Sequence, residues 1–162
     1  MILEFLIMVV ELFILNKIVF LDRDGVINRK APPHQHIHAI EDFILLPNVE
    51  KALNYCKNKG YKIIVVTNQR TLTEEEIDLI HSHMLQLLPQ IDAVYTCNHE
   101  EGVCNCRKPK PGLLQQANQD FPVDKVKSIL FGDSQSDIDA AKAFGIKGCL
   151  TYDLYSTVKE VL

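Results

Sequence analysis

The 162-residue sequence has no tryptophan, no internal repeat and no low-complexity tract, and its basic residues form only one short cluster at residues 107–110. The formal net charge is −4 and the pI is about 5.8. Nucleic acids and anionic membranes bind clustered lysine and arginine, so this composition weighs against both as partners. Because no long linker interrupts the chain, we expect one domain of ordinary soluble composition.

The N-terminal stretch MILEFLIMVVELFIL lacks the features of a membrane span and of a secretory signal. Fifteen helical residues reach about 22 Å, less than the roughly 30 Å of a bilayer core, and Glu4 and Glu11 interrupt the run. It has neither a cationic start nor a small-residue cleavage site. Residues 1–16 are therefore predicted as an apolar helix that packs on the domain or forms a homodimer through residues 1–15. A later start at Met8 and contact with a membrane are the open alternatives.

Five short apolar runs predict buried strands, and helical patterns separate them. The runs are rich in β-branched residues and end abruptly in polar ones, as parallel strands do where they meet their loops. Strands that alternate with helices predict a three-layer α/β fold around a mostly parallel sheet. The predicted strands are 17–21, 61–66, 92–96, 128–131 and 147–151, and the helical patterns lie at 49–56, 73–88, 111–118, 137–144 and 154–161.

Polar residues follow three of these strands at the same edge of the predicted sheet. Asp22 and Asp24 follow the first strand, Thr67 the second and Asp133 a later one. Ligands of such sheets bind at the carboxyl ends of the strands. Three adjacent carboxylates repel one another unless a cation lies between them, and hard oxygen ligands suit Mg²⁺ together with a phosphate. The pattern predicts a magnesium site and phosphoryl chemistry.

A second cluster contains sulfur and nitrogen ligands. Thiolates and imidazole select zinc, and four protein ligands complete a tetrahedron without an open position. We expect a structural Zn²⁺ that fixes the loop and the cations that follow it, the alternative being four reduced side chains without metal. Cysteines grouped in this way do not resemble a secreted disulfide framework, which predicts a cytoplasmic location. The four predicted ligands are Cys97, His99, Cys104 and Cys106.

Four segments, LDRDGVIN, VVTNQ, CRKPKPG and FGDSQSDIDAA, resemble in order the signature motifs of the haloacid dehalogenase (HAD) superfamily of phosphohydrolases. The DRDG segment and the C-x-H…C-x-C-R-K-P pattern are similar to the branch of the D-glycero-D-manno-heptose 1,7-bisphosphate and histidinol-phosphate phosphatases. The resemblance implies a Rossmann-like HAD phosphatase domain over residues 17–162. Superfamily members often carry a cap domain, but the two intervals for it, 28–47 and 70–106, are too short here, so a capless fold is expected.

The resemblance also implies the catalytic roles. Asp22 is the nucleophile that forms an aspartyl phosphate, and Asp24 protonates the leaving alcohol and then activates water. Lys108 balances the charge of Asp22 and of the phosphate. Thr67 and Asn68 donate hydrogen bonds to the transferred phosphoryl group.

The remaining implied roles concern the metal and the substrate. Mg²⁺ is held by Asp22, the carbonyl of Asp24 and Asp133, while Asp137 orients the outer shell. Because no cap domain covers the active site of a capless enzyme, its own loops must contact the substrate. The predicted substrate contact is Arg107, in the loop that carries the four predicted zinc ligands and is called the metal loop below.

The implied substrate is a small phosphorylated metabolite, first of all a sugar phosphate such as heptose 1,7-bisphosphate. Histidinol phosphate, a polynucleotide 3′-phosphate and a non-catalytic phosphate-binding module are the alternatives. Relatives continue after T-N-Q with a glycine-rich S-G-I-x-x-G segment, whereas this chain continues with RTLTEEE. Arg70 in this shortened loop could supply a cation for a second phosphate. His81 and His83, on the following helix, are expected at the surface.

Overall fold

The computed structural model describes residues 1–2, 14–33 and 35–162. The predicted N-terminal helix falls largely on residues 3–13, outside the described residues, so this segment and the domain boundary after it remain predictions. Among the described residues, none of the helices combines the length and the apolar character needed to cross a bilayer.

Five parallel strands form one sheet in the order β3-β2-β1-β4-β5, which confirms the predicted α/β class. The second strand is longer than predicted, because Thr67 and Asn68 pair with the neighbouring strand β3 and stay within the ladder. The central strand β1 is completely buried, as expected for a strand that is covered on both faces. The strands are β1 Ile18–Leu21, β2 Lys62–Asn68, β3 Ala93–Cys97, β4 Ile129–Gly132 and β5 Lys147–Leu150.

Helices cover both faces of the sheet and complete the three layers. Alternate residues of a strand point to opposite faces, and the two apolar clusters of the core divide β1 in this way. Val19 and Leu21 face α1, α2 and α5, whereas Ile18 and Phe20 face α3 and α4. The helices are α1 Val49–Asn58, α2 Glu74–Leu87, α3 Gly112–Asp120, α4 Gln135–Phe144 and α5 Leu154–Val161, and a short 3₁₀ turn spans Ile40–Asp42.

Helix α2 begins with the predicted capping box. The Thr73 hydroxyl accepts a hydrogen bond from the Glu76 backbone at 3.2 Å, and the Glu76 carboxylate accepts one from the Thr73 backbone at 2.8 Å. Glu76 also pairs with His38 at 3.0 Å. This helix end therefore connects to the loop that follows β1.

Replacing Thr73 by alanine should lower the free energy of unfolding by about 1 kcal/mol, because an N–H group at the helix start loses its acceptor. Urea denaturation measures the change. Thr71→Ala, at an exposed position before the helix, should stay within about 0.5 kcal/mol of the parent protein. Equal effects of the two substitutions would contradict the cap.

Candidate active site and metal loop

The carboxyl ends of two neighbouring strands bring the predicted acidic residues together. Strand β1 lies between β2 and β4, so Asp22 after β1 meets Asp133 after β4. Asp137 joins them from the first turn of α4. Carboxylate oxygens of these three residues all lie within 4.8 Å of one another.

Lys108 lies between two of these carboxylates although it is far from both in sequence. Its ammonium donates to Asp22 Oδ1 at 2.8 Å, to Asp137 Oδ1 at 2.6 Å and to the Val66 carbonyl at 2.8 Å. All three of its N–H donors are used, and its side chain is 3% exposed. Burial disfavours the charge, but Asp22 and Asp137 outweigh burial and raise the pKa of Lys108. The buried ammonium therefore stays charged.

Asp22 and Asp137 have different surroundings. Burial raises the pKa of Asp22 to about 6; Lys108 opposes this rise, and Asp137 adds to it. Asp137 is 1% exposed, and its second oxygen accepts hydrogen bonds from the Ser134 backbone and hydroxyl. A Cβ atom at Gly132 would lie 2.2 Å from the Asp137 side chain, so this close approach requires glycine. Asp137 is thus held inside the protein, whereas part of the Asp22 side chain is accessible to solvent.

The oxygen ligands present here fit a magnesium ion. Asp22 and Asp133 are 14% and 11% exposed and border the open edge of the sheet. Mg²⁺ typically uses one or two carboxylates and keeps waters or phosphate oxygens in the rest of its shell. Since both oxygens of Asp137 already accept hydrogen bonds from the protein, its position suits a supporting role. The ligand roles of Asp22, Asp133 and the Asp24 carbonyl remain predictions.

The Asp24 carboxylate accepts hydrogen bonds from several side chains. Arg23 donates to it at 3.0 and 3.1 Å, Asn28 at 2.9 Å and Gln69 at 2.7 Å. Burial would raise the pKa of Asp24, but the Arg23 guanidinium and these hydrogen bonds hold it below its usual range. Gln69 also donates to the Thr67 hydroxyl oxygen at 2.8 Å. The Thr67 O–H can therefore donate to a ligand.

Arg23 and His81 form a buried layer behind Asp24 that the sequence interpretation missed. Arg23 is 0% exposed, and its Nη1 lies 3.3 Å from His81 Nε2. Burial lowers the pKa of His81 to about 4, and Arg23 adds to this shift, so the neutral ring can accept from the guanidinium. The prediction that His81 lies at the surface is wrong. Its helical spacing from Ile77 and Met84 was a signal for the buried face of α2.

Two further residues with predicted substrate contacts, Asn68 and Arg107, lie next to Lys108. The Asn68 amide pairs with the Lys108 backbone through two hydrogen bonds of 3.1 Å, and its contact with the phosphoryl group remains a prediction. Its carbonyl oxygen and one N–H group are thereby committed to placing Lys108. Arg107, the predicted substrate contact, is half-buried, and among the described residues its Nη1 is buried without a hydrogen-bond partner. An unpaired guanidinium nitrogen is suited to an anionic ligand.

The cysteine cluster has the geometry of a closed zinc site. The Cys97 and Cys104 sulfurs are 3.5 Å apart, and His99 Nδ1 lies 3.6 Å from Cys97 and 3.2 Å from Cys106. Zinc–ligand bonds of tetrahedral sites imply ligand separations of about 3.5–3.8 Å; two of these distances match, and the His99–Cys106 distance is slightly shorter. All four ligand atoms lie within 4.8 Å of one another, so the cluster could hold the ion. The Arg107 backbone donates to the Cys104 sulfur at 3.4 Å. The cluster therefore holds the residue directly before Lys108.

The comparisons with known proteins agree with this arrangement. The sequence model of the haloacid dehalogenase-like hydrolases matches residues 14–151. The chain belongs to this family. Its relatives include the D-glycero-β-D-manno-heptose-1,7-bisphosphate 7-phosphatase of Haemophilus ducreyi, 36% identical over 149 residues that cover 82% of this chain and 80% of the relative. The corresponding α-anomer phosphatase of Campylobacter jejuni is 35% identical over 134 residues, with 77% and 76% covered.

A solved heptose bisphosphate phosphatase has the same fold. The D,D-heptose 1,7-bisphosphate phosphatase of B. bronchiseptica, crystallised with magnesium and phosphate, superposes with a TM-score of 0.81 at 24% identity and covers 90% of this chain and 97% of its own. The predicted membership of the HAD superfamily, its heptose bisphosphatase branch and the phosphatase class are confirmed. The individual residue roles and both metals remain predictions.

Asp22→Asn should change how stability depends on pH in magnesium-free buffer. Between the ordinary value of 3.8 and about 6, the unfolded state has released the Asp22 proton while the folded state retains it. The free energy of unfolding of the parent protein should therefore fall by about 1–3 kcal/mol relative to Asp22→Asn as the pH rises from 4 to 7. Urea denaturation across this range measures it. A parallel course of the two curves would contradict the raised pKa of Asp22.

Cys104→Ala should abolish zinc binding, because three ligands cannot complete the tetrahedron. The purified parent protein is expected to contain close to one zinc per chain by mass spectrometry of the metal. Cys149→Ala, which removes a half-buried thiol of β5, is the matched control and should retain the metal. Zinc retained by Cys104→Ala, or absent from the parent protein, would contradict the site.

Proposed function

We propose that the protein is a Mg²⁺-dependent phosphomonoesterase that hydrolyses a sugar phosphate through an aspartyl-phosphate intermediate, with heptose 1,7-bisphosphate as the first candidate. The observation that carries this proposal is the contact of Lys108 with Asp22 beside Asp133, at the carboxyl edge of the sheet. This arrangement combines a nucleophile, a fixed cation and metal-binding oxygens. Each of them has a direct use in phosphoryl transfer.

In the first step, an Asp22 carboxylate oxygen attacks phosphorus in line with the leaving oxygen. A bond forms between Asp22 and phosphorus, the bond to the sugar oxygen breaks, and the protonated form of Asp24 donates its proton to that oxygen. In the second step, Asp24 takes a proton from water while the water oxygen attacks phosphorus. The bond between phosphorus and Asp22 breaks, inorganic phosphate leaves, and the Asp22 carboxylate is restored. The hydrogen bonds that Asp24 accepts favour its ionised form, which the second step needs. For the first step, the negative charge of the bound phosphate raises the pKa of Asp24 and so favours the protonated acid.

Positioning and charge contribute to both steps. Lys108 holds Asp22 in place and offsets its negative charge as the dianionic phosphate approaches. The Thr67 O–H is available to donate to the phosphoryl oxygens, and the unpaired Arg107 Nη1, which is buried, becomes a further donor if its side chain moves. Bound magnesium, which Asp22 and Asp133 would hold, would supply further stabilisation of the negative charge on these oxygens.

The relatives support a sugar phosphate as substrate, since the matched phosphatases carry heptose bisphosphate in their names. The cleft beside Asp24 is open and has a volume of about 240 Å³. Arg70, from the shortened loop, pairs at 3.7 Å with Glu100 of the metal loop, and both side chains are exposed. A second phosphate could replace Glu100 as the partner of Arg70.

Asp22→Asn should reduce phosphate release by about 10³-fold or more, because the amide is a poor nucleophile. The test uses zinc-containing protein with Mg²⁺ and heptose 1,7-bisphosphate, histidinol phosphate and a 3′-phosphorylated oligonucleotide. Asp139→Asn, at an exposed carboxylate of α4, is the matched control and should keep the parent rate. Release that persists in Asp22→Asn would exclude this nucleophile. A parent protein that releases phosphate from none of the compounds would favour a phosphate-binding module.

Asp24→Asn should lower the same rate by about 10²- to 10⁴-fold, since proton transfer to the leaving oxygen and from water is lost. A substrate with a better leaving group, such as p-nitrophenyl phosphate, needs less help from an acid. The defect in the first step should therefore be smaller with that compound. An equal loss with both substrates in single-turnover measurements would contradict the acid role of Asp24.

A further inference from the structure

A second lysine, Lys30, reaches the carboxylate cluster from the loop that follows β1. Its ammonium donates to Asp133 Oδ2 at 2.7 Å. The side chain of Lys30 is 61% exposed, while that of Asp133 is 11% exposed. The resemblance to the phosphatase motifs assigns no role to this residue, and the reaction steps described above do not use it.

The two lysines of the site are held very differently. The Lys108 ammonium is buried and has three acceptors, including two carboxylates. Lys30 is largely exposed, and among the described residues its ammonium has one hydrogen-bond partner, Asp133. Because the cation of this pair is exposed to water, the pair contributes little free energy, and the ammonium can exchange Asp133 for another partner. Of the two lysines, Lys30 is therefore the one whose ammonium can leave its carboxylate partner.

The backbone next to Lys30 is fixed, so its side chain can move without the loop. The Arg29 backbone donates to the Ile44 carbonyl at 2.7 Å, and the Asn28 side chain donates to the Arg29 carbonyl at 3.0 Å. Lys30 also lines the open cleft together with Asp24 and Gln69. Rotation of one flexible side chain thus suffices to move its charge from Asp133 towards the cleft.

We propose that Lys30 is an exchangeable counter-ion, which neutralises Asp133 in the metal-free protein and pairs with a second anionic group of the substrate once a divalent cation has taken its place. Two cations compete for the Asp133 carboxylate, and the divalent ion has the stronger attraction to it. The released ammonium then lies beside the cleft where the leaving part of the substrate is bound. The substrate side of this inference rests on the proposed phosphatase function, whereas the competition at Asp133 does not.

The first measurement is Mg²⁺ binding by calorimetry to zinc-containing protein without substrate. Lys30→Met removes the charge and keeps a long side chain, and it should lower the Kd for Mg²⁺ about three- to tenfold because the competing cation is gone. Lys127→Met is the matched control, since Lys127 is 67% exposed and pairs with Asp124 at 3.4 Å near the amino end of β4. It should leave the Kd unchanged. An unchanged or higher Kd in Lys30→Met would overturn the exchange at Asp133.

The second measurement compares heptose 1,7-bisphosphate with a heptose monophosphate at saturating Mg²⁺. Lys30→Met should raise the KM for the bisphosphate about tenfold and the KM for the monophosphate less than about twofold, because only the bisphosphate offers a second anion. Lys30→Arg should restore most of the preference. Equal changes for both substrates would overturn the contact with the second anion. If the parent protein releases no phosphate from either compound, the proposed function fails, and the Mg²⁺ titration still decides the role of Lys30 at Asp133.

Discussion

The ammonium of Lys108 is the constraint on which the site depends. Two carboxylates as close as those of Asp22 and Asp137 would repel each other strongly in a buried place without a cation between them. Lys108 offsets both charges with two short hydrogen bonds and anchors itself on the Val66 carbonyl. The cost of burying this charge is compensated only in that geometry, so the position of the lysine and the positions of the carboxylates determine one another.

Contacts on two sides place Lys108, which belongs to the loop of the predicted zinc ligands, where the strands end. The loop is held from one side by the Asn68 amide, which pairs with the Lys108 backbone, and from the other by the cluster that includes Cys104 and receives the Arg107 backbone. A zinc ion would join the two chain segments of the cluster and stiffen the same region. The soft and hard ligands lie in separate groups, so the two groups would select different metal ions.

A second buried cation, Arg23, gives the Asp24 carboxylate an environment different from that of Asp22. Asp22 is buried beside Asp137 and its pKa is raised, whereas Asp24 faces Arg23 and Gln69 and its pKa is lowered. Two carboxylates whose environments move their pKa values apart are typical of sites in which the two groups have different tasks. His81 completes this arrangement, because its neutral ring accepts from the guanidinium that would otherwise have an unpaired nitrogen at that side.

The order of strands and helices, the polar residues after β1 and β4 and the spacing of the cysteines were readable from the sequence, because periodicity and motif spacing are local properties of the chain. The tertiary structure decided which side chains meet. Asn68 contacts the Lys108 backbone, Lys30 reaches Asp133, and Arg23 is buried against His81. These contacts join residues from 40 to 103 positions apart, and their partners depend on how the strands are ordered in the sheet and on how burial forces each charge to find a counter-charge. No local pattern encodes such pairings.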